Sequence, residues 1–291
     1  MKSGHIFLSI AVAALLCVVL TVTFAIGDGT KSTPAEGVLE VHFADVGQGD
    51  AIIIRTSDAV VVIDAGPQSD EHALSAYLRR CKIKAIDLLI ITHPHSDHMG
   101  GAARLLSEHT VGTLLLPKCD GDGSAYFRIP DVARENGTEV KRFDITEKFV
   151  LGDASLTPLA PIGEGYDDYN NYSSVFRLDF RGLSFMLAGD AETLSEDEML
   201  DSVSSELLDC DVLKVGHHGS GTSSSYEFLS AVTPRYAVVS CGSGNEFGHP
   251  KKSVIERLSG FCGEENVYRT DKSGSIVFYY DGHSLDIRTD S

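Results

Sequence analysis

The chain has 291 residues, and 42 acidic against 24 basic side chains leave a formal charge of −18. Such a field repels polyanions at long range and offers no basic stripe, so any nucleic-acid contact has to be local or bridged by metal. A 43% hydrophobic and 23% charged composition is that of a globular protein, long enough for one large domain or two small ones.

Residues Ile6 to Ile26 carry no charge over 21 positions, long enough for a helix to span a bilayer. Residues 1–27 therefore read as an N-terminal membrane anchor, or as a signal segment cleaved near Thr23-Phe24-Ala25. Either reading places the rest of the chain outside the cytoplasm, anchored or secreted. Residues 28–37, with Gly, Thr, Ser and Pro, read as a linker, and 38–291 as one domain.

That domain opens with the alternating run Val38–Phe43, a glycine-punctuated turn at Asp45–Ala51, and two β-rich runs, Ile52–Ile54 and Val60–Ile63, which make a hairpin. A helical pattern over 71–81 leads to an apolar strand over Ile86–Ile91. Helices follow at about 100–108 and 126–136, the latter with Pro130 early on, and strands at 113–116, 139–142, 155–159, 175–180 and 183–188. Ser195-x-x-Glu198 has the form of a capping box and predicts a helix over 195–208. Strands at 211–215, 236–240, 267–269 and 276–280 and helices at 226–232 and 253–258 close the chain. Of six cysteines, Cys17 lies in the apolar run; Cys81, Cys119, Cys210, Cys241 and Cys262 are scattered and odd in number. They form no disulfide framework and no Cys-x-x-Cys zinc pattern, and read as small buried hydrophobes with at most one bridge.

The chemistry concentrates just past the strand at 86–91, in Thr92-His93-Pro94-His95-Ser96-Asp97-His98-Met99-Gly100-Gly101. Three imidazoles and a carboxylate in six residues are metal-ligand types at metal-ligand spacing. His93 and His95, two apart in extended chain, can project to one side, while Asp97 and His98 lie where the chain turns and can face a second ion. Two further strand ends carry candidates: Asp190 in Leu187-Ala188-Gly189-Asp190, and the pair His217-His218, of which spacing does not choose the ligand.

His-x-His-x-Asp-His after a hydrophobic strand resembles the signature of the metallo-β-lactamase superfamily. The resemblance implies an α/β four-layer αββα sandwich, here preceded by one N-terminal apolar helix, with one or two divalent metals, Zn or Mn, at the rim where the sheets meet. It implies that His93, His95, Asp97, His98, Asp190 and one of His217 and His218 bind metal, with Asp190 bridging. The histidine usually found between the first motif and the bridging Asp is missing, since none stands between His109 and His217; Asn170-Asn171-Tyr172-Ser173-Ser174 occupies that stretch. With Asp45-Val-Gly-Gln-Gly-Asp-Ala51, His217-His-Gly-Ser220, Asn245-x-x-Gly-His-Pro250 and Thr270-Asp-x-x-Gly-Ser275, this resembles the soluble domain of the competence protein ComEC.

An Asn amide is a weaker ligand than imidazole, so the His93/His95 ion is expected to exchange more readily than the Asp97/His98 ion, and manganese competes with zinc. The resemblance implies a metal-activated water attacking a phosphodiester, with Asp97, His218, His249 and Asn170 orienting water or holding substrate oxygens. A small molecule, a wall polymer or a nucleic acid would each fit as the phosphodiester substrate; the membrane is met through the N-terminal segment, and no obligate protein partner is evident. A lactonase or β-lactamase-type hydrolase, and a non-catalytic metal-bound module of an uptake or envelope assembly, are the competing readings.

Overall fold

Runs of Ile and Val that are apolar at every position mark strands buried on both faces. The computed structural model describes residues 33–290 and builds two sheets from such runs. The anchor or signal reading of residues 1–27 lies outside the described residues. Among the described residues, no helix is long and apolar enough to cross a membrane.

Strands β1 (Leu39–Phe43), β2 (Ile52–Arg55) and β3 (Val60–Ile63) form an antiparallel meander. Helix α1 (Ala73–Arg80) leads to β4 (Ala85–Ile90), helices α2 (Ser96–Met99) and α3 (Ala102–Glu108) to β5 (Thr110–Leu116), and α4 (Ser124–Glu135) to β6 (Glu139–Arg142). Strands β3 to β6 run parallel. The second sheet starts with antiparallel β7 (Phe149–Leu151), β8 (Ala154–Ala160), β9 (Val175–Phe180) and β10 (Leu183–Leu187). Helices α5 (Thr193–Ser202) and α6 (Ser205–Leu208), α7 (Tyr226–Val232) and α8 (Lys252–Cys262) then alternate with parallel β11 (Val212–Lys214), β12 (Tyr236–Val239) and β13 (Val267–Arg269). After the short α9 (Thr270–Ser273) the chain rejoins the first sheet as β14 (Ile276–Tyr280), beside β1, and the edge strand β15 (Leu285–Thr289).

Strand alternation divides the core. Ile52, Ile54, Val61, Ile63, Leu88 and Ile90 point between the sheets and meet Phe176, Leu178, Phe185 and Leu187. Their neighbours Ile53, Val60, Val62 and Leu89 point the other way, under Leu78, Leu105 and Ile129 of α1, α3 and α4. On the far side Met186, Leu213 and Val239 pack beneath Met199, Leu229 and Leu258 of α5, α7 and α8. The result is the four-layer αββα order. Burying Phe185 completely is worth about 1.5–3 kcal/mol, and truncating it to Ala would cost about 3–5 kcal/mol once the cavity is included.

Most of the expected elements stand within a residue or two. The helix expected over 195–208 does not. It begins at Thr193 and breaks at Val203, which is extended, before α6. The capping box is not used because its acid is needed elsewhere: Glu198 accepts hydrogen bonds from the Tyr166 hydroxyl and, at 3.2 Å, from the Gly163 N–H. Glu196 is also drawn inward, accepting from the backbone N–H groups of Ser224 and Ser225. The helix expected over about 100–108 stands as α3 from Ala102, and the short α2 over Ser96–Met99 precedes it; at Gly100 between them an added Cβ would stand 2.0 Å from the Gln68 nitrogen. Cys81, Cys119, Cys210, Cys241 and Cys262 are all free thiols.

Candidate metal centre

Parallel strands deliver their C-terminal ends to one rim, the usual place for a site in such sheets. The end of β3 supplies Asp64, the segment after β4 supplies His93 to His98, the end of β10 leads to Asp190, and the end of β11 to His217 and His218. The glycine turn after β1 packs against the histidine segment: the Asp50 N–H donates to the Asp97 carbonyl at 3.2 Å. A Cβ on Gly49 would stand 2.2 Å from that same oxygen, so only glycine allows the approach.

His98 and His218, from opposite sheets, bring their Nε2 atoms to 3.3 Å. Asp190 Oδ2 lies 3.2 Å from the first and 3.3 Å from the second, and Asp97 Oδ2 lies 3.2 Å from His218 Nε2. One ligand atom from each of Asp97, His98, Asp190 and His218 therefore falls within 4.8 Å of all the others. The other ring nitrogens are already committed. His98 Nδ1–H donates to Asp64 Oδ2 at 2.7 Å, and His218 Nδ1–H donates to the Ser240 carbonyl at 2.9 Å. Asp64 is fixed in turn by the Thr92 N–H and hydroxyl, each donating at 2.8 Å. These bonds turn both Nε2 lone pairs toward one point, the arrangement that orients histidine ligands.

The electrostatics ask for a cation at that point. Two facing lone pairs repel unless positive charge lies between them. Burial opposes charge on His98, yet Asp190, Asp64 and Asp97 raise its pKa well above the usual histidine range. Burial likewise opposes charge on His218, and Asp190 and Asp97 push it up to about 10. Burial would raise the Asp190 carboxyl, but His218 and His98 pull it well below the carboxylate range. The carboxylates thus call for positive charge among these four atoms, which a divalent ion placed there would supply. The buried Asp190 Oδ1 accepts no hydrogen bond among the described residues. The donor set therefore fits a divalent metal ion.

The first-metal half is thinner. His93 Nε2 lies 3.0 Å from His95 Nδ1 and 3.9 Å from Asp190 Oδ2. His93 Nδ1 is held by the hydroxyls of Thr92 at 3.1 Å and Ser173 at 3.2 Å. Where the missing histidine was expected, the residue that reaches the site is Ser173, whose Oγ also accepts from the Asp190 N–H at 3.0 Å. Asn170 is buried with its Oδ1 unpartnered and is not among the residues lining the cleft.

His217 is turned to the rim: its Nδ1 is 3.2 Å from Glu192 Oε1, and its Nε2 3.8 Å from Asp190 Oδ2. Consecutive left-handed backbone angles, φ 47° and 52°, separate the two histidines so that one points in and the other outward. His217, His249, Gln48, Phe247, His95 and Asp97 line a cleft of about 280 Å³ over the cluster. Burial and the neighbouring His217 and Lys251 push His249 down to about 4, so its imidazole is neutral at pH 7.

A model of the metallo-beta-lactamase superfamily matches residues 44–243. The chain belongs to the metallo-β-lactamase superfamily. Members of this superfamily are generally metal-dependent hydrolases, and the His/Asp cluster at the rim of this chain's sandwich could hold a metal ion. The ComEC-like resemblance holds as well. ComE operon protein 3 of Bacillus subtilis is 33% identical over 262 residues, 83% of this chain and 33% of that protein. Competence protein ComA of Neisseria gonorrhoeae is 29% identical over 235 residues, 80% of this chain and 31% of that protein. The chain thus spans about a third of the length of these relatives. Among solved superfamily structures, the metallo-beta-lactamase fold protein YhfI of Bacillus subtilis aligns with a TM-score of 0.57 at 13% identity, covering 83% of this chain and 100% of that one. That likeness speaks to fold alone.

Three residues of the centre have no counterpart in the sequence reading of the site: Asp50, Asp64 and Lys214. Lys214 is fully buried; its Nζ donates to the Gly189 carbonyl at 2.8 Å, is paired with Asp50, and lies 3.8 Å from Asp190 Oδ1. Asp190 consequently shows Oδ2 to the histidines and Oδ1 to the lysine.

Proposed function

We propose that this superfamily member is a metal-dependent phosphodiesterase whose main ion is held by Asp97, His98, Asp190 and His218. The observation that carries the reading is the convergence of two tautomer-fixed Nε2 atoms and two carboxylate oxygens within 4.8 Å at the floor of an open cleft. A divalent ion bound there supplies a Lewis acid and a nucleophile available at neutral pH. Asp64 and the Ser240 carbonyl keep His98 and His218 in the ligating tautomer, and Lys214 keeps Asp190 from turning away. Asp97, with a quarter of its side chain exposed, faces the cleft and can orient the attacking group. His249 and His217 stand over the floor, where a neutral imidazole can donate to a substrate oxygen or accept a proton.

A phosphodiester is preferred to a lactam or lactone because the ComEC-like resemblance implies it, and one of those relatives is named a competence protein. The charge of −18 argues against gripping a long backbone, so a small phosphodiester or the end of a polymer suits the cleft best. We place His93 and His95, with Asp190, at a second, weaker ion position. The N-terminal apolar run would hold this domain at an extracytoplasmic membrane face. Hydrolysis of a bis-aryl phosphate with added Mn²⁺ or Zn²⁺ tests the reading. Wild type should turn over and Asp97→Ala should not; turnover of lactones or β-lactams with no phosphodiester cleavage would overturn it.

A further inference from the structure

Phe247 stands at the mouth of the cleft with 53% of its surface exposed. Its backbone is held by several hydrogen bonds, and one face of its ring meets a neighbouring imidazole. The Asn245 side chain accepts from the His249 N–H at 3.0 Å and donates to the Gly242 carbonyl at 2.9 Å, and Lys251 Nζ donates to the Phe247 carbonyl at 2.8 Å. The ring lies nearly parallel to His249, with centroids 5.9 Å apart and planes at 29°. His249 in turn meets His217 edge-on at 5.4 Å. A file of rings therefore runs from the metal cluster outward and ends in an unpartnered aromatic face.

Beyond Phe247 the space continues. A second cavity of about 490 Å³ shares Gln48, Asp97 and Phe247 with the metal cleft and extends along Gln68, Ser69 and Glu246. Its lining includes two carboxylates, Asp97 and Glu246, and no Lys, Arg or His. Nothing there neutralises a second phosphate, so a chain of phosphates is repelled and an uncharged group is accepted. Gln48 Oε1 accepts from the Gly242 N–H at 3.0 Å, which leaves its Nε2 a donor with no partner among the described residues.

We propose that Phe247 is a specificity-determining residue: it stacks on an uncharged nucleobase next to the scissile phosphodiester. The substrate class is then a single-stranded phosphodiester ending in an unphosphorylated nucleoside. An aromatic face rewards any planar base, since every base has a π-face, and rewards a glycerol or sugar much less. The inference rests on the phosphodiesterase reading for its chemistry, but its binding part is tested without it.

The metal-free protein, which has no ion with which to cleave, is titrated calorimetrically with a thymidine dinucleotide and with the same dinucleotide lacking both bases. The base-bearing ligand should bind about tenfold more tightly. Phe247→Ala should reduce that preference to near unity and Phe247→Tyr should keep it, with unchanged melting temperatures showing that both variants fold. In the metal-loaded protein the same ratio should appear in KM. A terminal phosphate on the thymidine dinucleotide should weaken binding. Equal binding of both ligands, no binding of either, or a preference that survives Phe247→Ala overturns the platform. If the loaded protein cleaves no phosphodiester at all, it is the phosphodiesterase reading that falls, and the calorimetric ratio still decides the role of Phe247.

Discussion

Lys214 and Asp50 form an ion pair sealed from solvent directly beneath His98 and His218. Burial opposes charge on the lysine, but Asp50 and Asp190 more than restore it and raise its pKa. Asp50 also lies 3.9 Å from His98 Nδ1 and 3.7 Å from His218 Nδ1, so the pair supports both halves of the centre. Lys214→Met removes the only cation facing these acids among the described residues other than the histidines. Leaving Asp50 buried and unpaired should destabilise the metal-free domain by about 3–5 kcal/mol, a fall of roughly 10 °C in Tm. Asp50→Leu added to Lys214→Met should recover much of the loss; thermal melting of the two variants checks both statements.

Asp64 meets the metal centre directly at His98 Nδ1. Asp64→Asn frees the imidazole to rotate and to change tautomer. Metal affinity should drop about 10–100-fold while the fold is retained. Titration against a competing chelator measures it, and an unchanged affinity would remove Asp64 from the set that orients the ligands.

The two halves of the centre should differ. Asp97, His98, Asp190 and His218 bring four ligand atoms together, whereas the His93/His95 half lacks a third imidazole. Titration with Zn²⁺ or Mn²⁺ should show a tight first equivalent and a weaker second. His95→Ala should remove the second and spare the first; His98→Ala should remove the first. Two equivalents of equal affinity in the wild type would contradict this asymmetry.

Far from the centre, His42 is buried between Tyr77, whose hydroxyl is 2.8 Å from Nδ1, and Glu40, 3.2 Å from Nε2. Burial lowers its pKa, with Glu40 opposing the shift. A depressed folded value means that the unfolded chain takes up the proton first. This contribution is fully present above the unfolded pKa of about 6.5 and is lost as pH falls from there toward the folded value. Denaturant titrations of metal-free protein should show stability falling below that pH, and His42→Gln should flatten that part of the curve.

Much of this was legible along the chain, for identifiable reasons. His93, His95, Asp97 and His98 stand in one short segment, so their chemistry shows without tertiary structure. The doubly buried strands show as unbroken apolar runs at Ile52–Ile54 and Val60–Ile63. Asp50 and Asp64 do not show, because an acid at a strand end or in a glycine turn looks like an ordinary turn residue until its partner is known. Lys214 carries one usable signal: a charge inside the apolar run Val212-Leu213-Lys214-Val215 has to be paired if the strand is buried. The choice between His217 and His218 depends on two left-handed backbone angles, which spacing cannot reveal. Asn170 and Ser173 sit in the same stretch, and only the turn at Tyr169–Tyr172 decides that the serine, not the asparagine, meets His93.

Elemental analysis of the purified domain, after loading with Zn²⁺ or Mn²⁺ and removal of free ion, tests the central claim most directly. Wild type should retain at least one divalent ion per chain, and the His98→Ala/His218→Ala variant essentially none, with both folded. A wild-type domain that retains no ion under any loading condition, or a double variant that retains as much as wild type, would contradict a metal centre at this rim.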